Sequence, residues 1–466
     1  MKNISSLFAA ILIFISSTSL AQTQWDIEGT ILNEYDLVTG LQIPWEILWG
    51  PDDMLWATTR PGDVLRIDPE TGSYTNVLNI GVFGGDGAEP GLLGMAMHPD
   101  WDSTPKVFLV YCTGSSWNNA SENLSVFDFD GENLINEEIL LTVDAGGIHN
   151  GSRLLILPDN TLLMSTGDTG DGGYSSQNEN HLNGKMLRLN LDGSIPSDNP
   201  WPGSYVYSWG HRNSQGLCLG ADGIIYSSEH GQSNWDEFNI IEPGRNYGWP
   251  NVEGICNETS EILFCEENNV REPLRAWEPC IAVNGIEYYN HPAIPAWNNS
   301  VLLSVLGGLG GQYERLSVLH LSADGLEVVS EDQYFSEFNQ RVRDIAINPY
   351  TGAVYMALNG PSYPGYGPNI IKEFRPDEYD SVELISEELV DVIIYPVPAS
   401  ELINIDVSDA LIGGDYNIID YHGKIVMEGG LNSNTQVLHV NNLARGSYYL
   451  FLQNGENMIT RTFTLQ

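Results

Sequence analysis

Three short segments combine reactive side chains with glycines between apolar runs. The first reads Gly147-Ile148-His149-Asn150-Gly151-Ser152-Arg153, and Ser165-Thr166-Gly167-Asp168 follows it. A strand, a turn and a second strand would return Asp168 to the rim where His149 starts. An aspartate hydrogen-bonded to a histidine fixes its tautomer and raises its basicity, which suits a general base. The plainer alternative is a capped loop histidine and a turn aspartate. The second segment, Tyr207-Ser208-Trp209-Gly210-His211-Arg212-Asn213-Ser214-Gln215-Gly216, puts an arginine at the start of a strand. Arg212 could bind an anion or polarise a carbonyl there, or simply hold loop carbonyls. The third runs Ser228-Glu229-His230-Gly231-Gln232, then Trp235-Asp236-Glu237. Carbonyls exposed around Gly231, with carboxylates nearby, suit a hard cation such as calcium, or else form a solvated acidic loop.

Other chemistries find little support. Gly84-Gly85-Asp86-Gly87 and Gly307-Gly308-Leu309-Gly310-Gly311 are glycine-rich, but neither opens a helix after a strand, as a nucleotide phosphate loop would. There is no His-Glu-x-x-His, no Gly-x-Ser-x-Gly and no Cys-x-x-Cys. Lys and Arg total 19 against 62 Asp and Glu, a formal net charge of −43. That balance excludes nucleic acid as the main partner and disfavours anionic lipid. The 42% hydrophobic content excludes general disorder.

The elements that would position these residues are strands. One phrase recurs, an apolar strand, a turn rich in Pro, Asp and Gly, and a second apolar strand. Its copies begin at Ile47, Leu93, Leu154, Gly216, Gly285 and Ile345. Several continue into a further strand, as in Val64-Leu65-Arg66-Ile67-Asp68, Met186-Leu187-Arg188-Leu189-Asn190 and Ser317-Val318-Leu319-His320-Leu321. One small antiparallel sheet cannot bury both its faces, but a closed ring of such sheets can. An all-β fold is expected, with a six-bladed β-propeller over residues 25–376. Acidic residues crowd 377–391, which reads as a solvated linker. A second alternating pattern over 392–466 reads as a small β-sandwich. At the other end, Lys2, the apolar run Leu7 to Ile15 and Ser19-Leu20-Ala21 form a secretory signal peptide over 1–21, too short to span a bilayer. No transmembrane segment is expected. Of five cysteines, Cys112 and Cys218 lie in apolar strands as buried thiols, while a disulfide is plausible among Cys256, Cys265 and Cys280.

The chain resembles the soluble quinoprotein glucose dehydrogenases, also called glucose/sorbosone or aldose sugar dehydrogenases. The phrases that carry the resemblance are Pro90-Gly91-Leu92-Leu93-Gly94, His149-Asn150-Gly151-Ser152-Arg153-Leu154, Gly167-Asp168, Gly210-His211-Arg212-Asn213-Ser214-Gln215-Gly216-Leu217 and Gly244-Arg245-Asn246-Tyr247-Gly248-Trp249-Pro250. It implies a secreted enzyme that oxidises the C1 hydroxyl of a sugar by hydride transfer to pyrroloquinoline quinone (PQQ), with calcium in the channel. Carried over residue by residue, His149 takes the hydroxyl proton, Asp168 orients His149 and Arg212 stabilises charge on the quinone oxygen. Asn213, Arg341 and Arg343 contact the cofactor, the carbonyls of Gly231 and Gln232 hold the calcium, and Glu89 falls near the substrate. One departure stands out: Leu306 leads into Gly307 where the family commonly has a cofactor-contacting lysine. Gln232 also replaces a frequent proline. The C-terminal region resembles the Por (type IX) secretion sorting domain through Tyr395-Pro396-Val397-Pro398-Ala399-Ser400, Gly423-Lys424-Ile425-Val426 and Leu443-Ala444-Arg445-Gly446-Ser447-Tyr448-Tyr449. That implies export through the periplasm by a secretion machinery to the cell surface or beyond. The natural electron acceptor stays open. The rival reading is a non-catalytic propeller that binds a protein or glycan.

Overall fold

A computed structural model describes residues 23–465 except 86–87, 118, 309–312, 364, 366, 378–391, 396–398, 400–401, 409–410, 421–423 and 455–456. The expected signal peptide and nearly all of the acidic segment lie outside the described residues. The chain forms two compact units, each built from antiparallel sheets.

In the first unit, the two apolar runs of each recurring phrase are the first two strands of a sheet. Five sheets have four strands and the sixth has five. The innermost strands are Pro44–Trp49, Leu92–Met97, Gly151–Ile156, Ser214–Leu219, Val283–Tyr289 and Val342–Ile347. Each packs beside the next and the last packs beside the first, so the six sheets close into a propeller. The second strands explain the legible phrases. Leu55–Thr59, Thr161–Thr166 and Ser300–Val305 are buried at every position. A strand covered on both faces has no solvent side to keep polar, so it reads as a continuous apolar run. The cores lie between neighbouring blades: Phe108, Val110 and Leu124 of the second blade meet Leu162, Met164 and Leu187 of the third.

Ring closure uses the two ends of this unit. Thr30–Leu41 pairs with Asn369–Pro376, from Leu32 opposite Pro376 to Leu41 opposite Asn369, and Thr23–Ile27 adds the edge. Pairing first with last leaves no inner strand edge open. Lys372 bridges to Glu34 and Asp36 across this seam.

Arg153 ties the ring across its centre. It starts on the third blade. Its guanidinium lies 2.9 Å from both Glu46 of the first blade and Asp344 of the sixth. It donates to the Gln215 carbonyl of the fourth blade at 2.5 Å and lies 4.3 Å over the Trp45 ring. Burial pushes Glu46 up to about 8 and raises Asp344, against the pull of Arg153. Removing one member of a buried charge cluster leaves the others uncompensated, at a cost of about 3–5 kcal/mol. Arg153→Leu should therefore lower the melting temperature sharply in calorimetry; an unchanged transition would remove Arg153 as the tie.

The second unit packs two sheets over one core. Val392–Tyr395, Leu402–Val407 and Thr435–His439 form one sheet; Asp415–Asp420, Ile425–Gly430, Gly446–Asn454 and Asn457–Leu465 form the other. Ile403, Ile405, Ile418 and Leu450 meet between them, as in a β-sandwich.

Candidate active site

The antiparallel register decides which residues share a rim. The start of each innermost strand lies opposite the end of the second strand, as with Gly151 and Thr166, Ser214 and Glu229, and Val342 and Leu358. Loops leading into first strands and loops leaving second strands therefore meet on one face. There they border a cavity of about 520 Å³. Glu89, His149, Arg212, Asn213, Gly231, Gln232, Arg341 and Arg343 all line it. Asp168 stands just behind, joined to His149.

His149 Nδ1 lies 2.7 Å from Asp168 Oδ1. The Gly170 N–H also donates to Oδ1, at 2.8 Å, and the Trp249 indole donates to Oδ2 at 2.9 Å. Burial pushes Asp168 up, but these donors overcome it and hold the carboxyl below its ordinary range. Asp168 is thus a carboxylate at neutral pH, and with Nδ1 engaged, His149 has Nε2 left for a ligand. The His149 backbone sits at φ 56° and its N–H donates to Glu89 Oε2 at 2.9 Å. A left-handed histidine is an uncommon conformation that the surrounding contacts must enforce.

Behind Asp168, the buried Lys185 amine donates to the carbonyls of Ser175, Ser176 and Asn183 at 2.7, 3.1 and 2.8 Å. It thereby pins the loop that carries Asp168, although burial lowers its pKa to about 7.

Arg212 is held by its backbone and its ring neighbour. Its N–H donates to Glu229, its guanidinium lies 5.2 Å over Trp249, and one terminal nitrogen donates to the His230 carbonyl at 3.1 Å. Glu229 is itself fixed by His211 at 2.9 Å and the Ser214 hydroxyl at 3.0 Å. Burial raises Glu229, and these partners pull it below its usual value. Asn213 Oδ1 accepts from the Gly151 N–H at 3.1 Å and from Gln215 at 3.2 Å, so its NH₂ is the end left for a ligand. Gly231 donates its N–H to Asp236 Oδ1 at 2.8 Å, while Asp236 Oδ2 takes the N–H groups of Ile281 and Ala282 at 2.7 and 2.6 Å. A Cβ on Gly231 would lie 2.1 Å from the Asn234 carbonyl oxygen, so only glycine fits this turn.

Arg341 and Arg343 line the same cavity and, among the described residues, form no ion pair with a carboxylate. Arg341 reaches the Leu306 carbonyl at 3.4 Å and lies 5.8 Å from the Tyr363 ring centre; Arg343 lies 4.9 Å from that of Trp45. The Nε atoms of Arg212, Arg341 and Arg343 are buried without a partner among the described residues.

Sequence reasoning did not single out Trp249, Asp236, Lys185 or Arg60, which also lines the cavity. Trp249 appeared only within its Gly-Trp-Pro phrase, and Asp236 only as a nearby carboxylate. The disulfide joins Cys256 to Cys265, leaving Cys280 as a free thiol in the cavity wall. No helix among the described residues is long and apolar enough to cross a membrane.

Known proteins share this architecture. An aldose sugar dehydrogenase from Streptomyces coelicolor, solved in its PQQ-bound form, is similar at a TM-score of 0.62 and 31% identity, over 74% of this chain and 97% of that one. Quinoprotein glucose dehydrogenase B of Acinetobacter calcoaceticus is 35% identical over 254 residues, 48% of this chain and 53% of that protein. An aldose sugar dehydrogenase of Escherichia coli is 27% identical over 355 residues, 71% of this chain and 91% of that protein. Residues 393–466 match the secretion system C-terminal sorting domain. Residues 41–363 match the family model for glucose/sorbosone dehydrogenase, and the chain belongs to that family.

Proposed function

We propose that this protein is an exported sugar dehydrogenase that uses PQQ and calcium to oxidise the C1 hydroxyl of an aldose to a lactone. The observation that carries the reading is a single cavity bordered by the His149 side chain and by three arginines whose buried Nε atoms lack partners among the described residues. PQQ carries three carboxylates. Guanidinium groups suit carboxylates by their planar fork of donors, and unsatisfied buried donors are costly until a ligand meets them. The residues present therefore fit such a cofactor.

When bound, PQQ would supply the two-electron acceptor for the C1 hydride and calcium would supply Lewis acidity. The chain's own residues do the rest. His149 Nε2 takes the proton of the C1 hydroxyl. Asp168 holds the tautomer that leaves Nε2 free and stabilises the imidazolium. Glu89 fixes the His149 backbone through one oxygen and offers the other to a sugar hydroxyl. Arg212 offsets negative charge in the cavity, Asn213 donates through its NH₂, and Arg341 and Arg343 bind carboxylates. The carbonyls of Gly231 and Gln232 would hold calcium, with Asp236 fixing the turn. Calcium takes about six to eight oxygens, so two carbonyls leave most positions to cofactor and water. Among the described residues no group of three or more His, Cys, Asp or Glu side chains could hold a metal. The sorting domain supports a secreted or cell-surface location, and the apolar run Leu7 to Ile15 supports a route through the periplasm with loss of residues 1–21.

Reconstitution tests the proposal. The full chain is mixed with calcium and PQQ, and aldoses are assayed with an artificial electron acceptor. Oxidation should require both additions, and chelation of calcium before loading should abolish it. Failure to bind PQQ at micromolar concentration would overturn the reading.

A further inference from the structure

Lys185 is 0% exposed, a rare state for a lysine because burial works against its charge. It opens the third strand of the third blade, Lys185–Asn190. Residues 167–184, between that strand and Thr161–Thr166, hold neither helix nor strand and include Asp168. A connection longer than about 12–15 residues without regular structure is uncommon in a compact fold and is usually functional.

This connection is wound around the lysine. The three carbonyls that accept from Nζ, those of Ser175, Ser176 and Asn183, match the three N–H groups of an ammonium. Asp171 and Glu179 of the same connection favour the charge. Asp171 also takes the N–H groups of Gly173 and Ser175, at 2.8 and 2.9 Å. Carbonyls converging on one charge, with carboxylates nearby, are what a loop closed on a hard cation would present. Here a side-chain ammonium fills that place.

From the segment held by the ammonium, hydrogen bonds run to both halves of the site. The Ser176 hydroxyl donates to the His211 carbonyl at 2.6 Å, and the Ser176 carbonyl also accepts the Gly210 N–H at 3.0 Å. Gly184 donates to the Gly167 carbonyl at 2.9 Å and accepts the His211 N–H at 3.2 Å. The Asp168 N–H donates to the Arg212 carbonyl at 2.8 Å. Gln177 donates to the Trp249 carbonyl at 2.7 Å and pairs twice with Asn246 at 3.0 Å. Trp249 in turn holds Asp168 through its indole and lies beneath the Arg212 guanidinium. The Asp168 and Arg212 backbones and the Trp249 ring that meets both are thus stitched to one lysine-centred connection.

We propose that Lys185 is a positioning residue for the proton transfer at His149, acting as an internal cation. Its ammonium sets residues 167–184 so that Trp249, Asp168 and Arg212 stand in register with the imidazole. Lys185 does not border the cavity, so it acts through these residues and touches neither sugar nor cofactor. The role rests on the sugar dehydrogenase reading and adds to it a residue outside the cavity on which turnover depends.

The full chain carrying Lys185→Met, similar in length but without charge or donors, tests the role. Loaded with PQQ and calcium, it should lose about 10- to 100-fold in kcat, the order expected when catalytic groups shift by about 1 Å. KM for the sugar and cofactor affinity should stay near native values. In a His149→Ala background the same substitution should cost a smaller factor, because the imidazole it positions is gone. Native kcat in Lys185→Met, or equal losses in the two backgrounds, would overturn the role. If Lys185→Met does not fold, Ser176→Ala and Gln177→Ala carry the test, since both leave the buried charge satisfied. Each should lower kcat with a melting temperature near native, and native kcat in both overturns the role. Amide hydrogen exchange on cofactor-free protein separates this outcome from failure of the dehydrogenase reading. Exchange should quicken in Lys185→Met or, if that variant does not fold, in Gln177→Ala, at residues 169–184 and 246–249 and not in the other blades. If the native protein oxidises no sugar yet shows this pattern, the dehydrogenase reading falls and the lysine anchor remains. Unchanged exchange in those segments removes the anchor.

Discussion

Replacing His149 by alanine is expected to lower kcat of the cofactor-loaded protein by about 10²–10⁴-fold, the usual contribution of a positioned general base. Cofactor affinity should hardly move, because the guanidinium groups assigned to the carboxylates lie on other loops. Asp168→Asn should produce a loss of comparable order for a different reason. Both Asp168 oxygens are acceptors, one for His149 Nδ1 and the Gly170 N–H, the other for the Trp249 indole. An amide has one acceptor oxygen, so its NH₂ must oppose one of these donors. Either Trp249 loses its partner or the imidazole turns to the tautomer that blocks Nε2. A kcat loss with unchanged cofactor titration, recorded over a range of pH, checks both variants. Native turnover in His149→Ala would reject the proton-transfer role.

How far such roles can be read before any coordinates depends on what the residues face. The six phrases corresponded to the two innermost strands of each blade because those strands are covered on both sides and carry apolar runs. The strand that closes the ring, Thr30–Leu41, carried no such mark. Only Leu32, Asn33, Val38 and Leu41 of its twelve residues are buried, and its partner Asn369–Pro376 lies at the far end of the propeller sequence. No local pattern announces so distant a pairing. The same limit applied to the site. His149 and Asp168 were legible because one hairpin returns them to each other. Trp249, which completes the Asp168 carboxylate, comes from another blade, and Arg153 meets acids on the first and sixth. Contacts of this kind are created by closure of the ring. Spacing could suggest a disulfide among Cys256, Cys265 and Cys280, but only the fold decides that Cys280 stands apart in the cavity wall.

Arg343→Ala should weaken PQQ binding about 10- to 100-fold, the loss of one charge-assisted contact worth roughly 1.5–3 kcal/mol. Its effect on the cofactor-free protein should run the other way. Burial, then Arg153, Arg60 and Arg341, depress the pKa of Arg343 far below its normal value, with only Asp344 opposing. The guanidinium is thus crowded by like charge, a state that costs stability until an anion arrives. Removing it should leave the melting temperature of the free protein unchanged or raised, while the stabilisation conferred by added cofactor shrinks. A residue that merely packed the wall would lose stability in both states, so paired melting curves with and without PQQ separate the two roles. Gly307, where the resemblance leads one to expect a lysine, lines the same cavity. Gly307→Lys is not a remedy. Gly307 has φ 79°, and a Cβ there would lie 2.6 Å from the Glu314 carboxyl carbon, so a lysine would strain the backbone and displace that side chain. On the proposed reading, Arg341 and Arg343 then hold the cofactor's carboxylates. A cofactor affinity in Arg343→Ala equal to that of the native protein would show that the burden lies elsewhere.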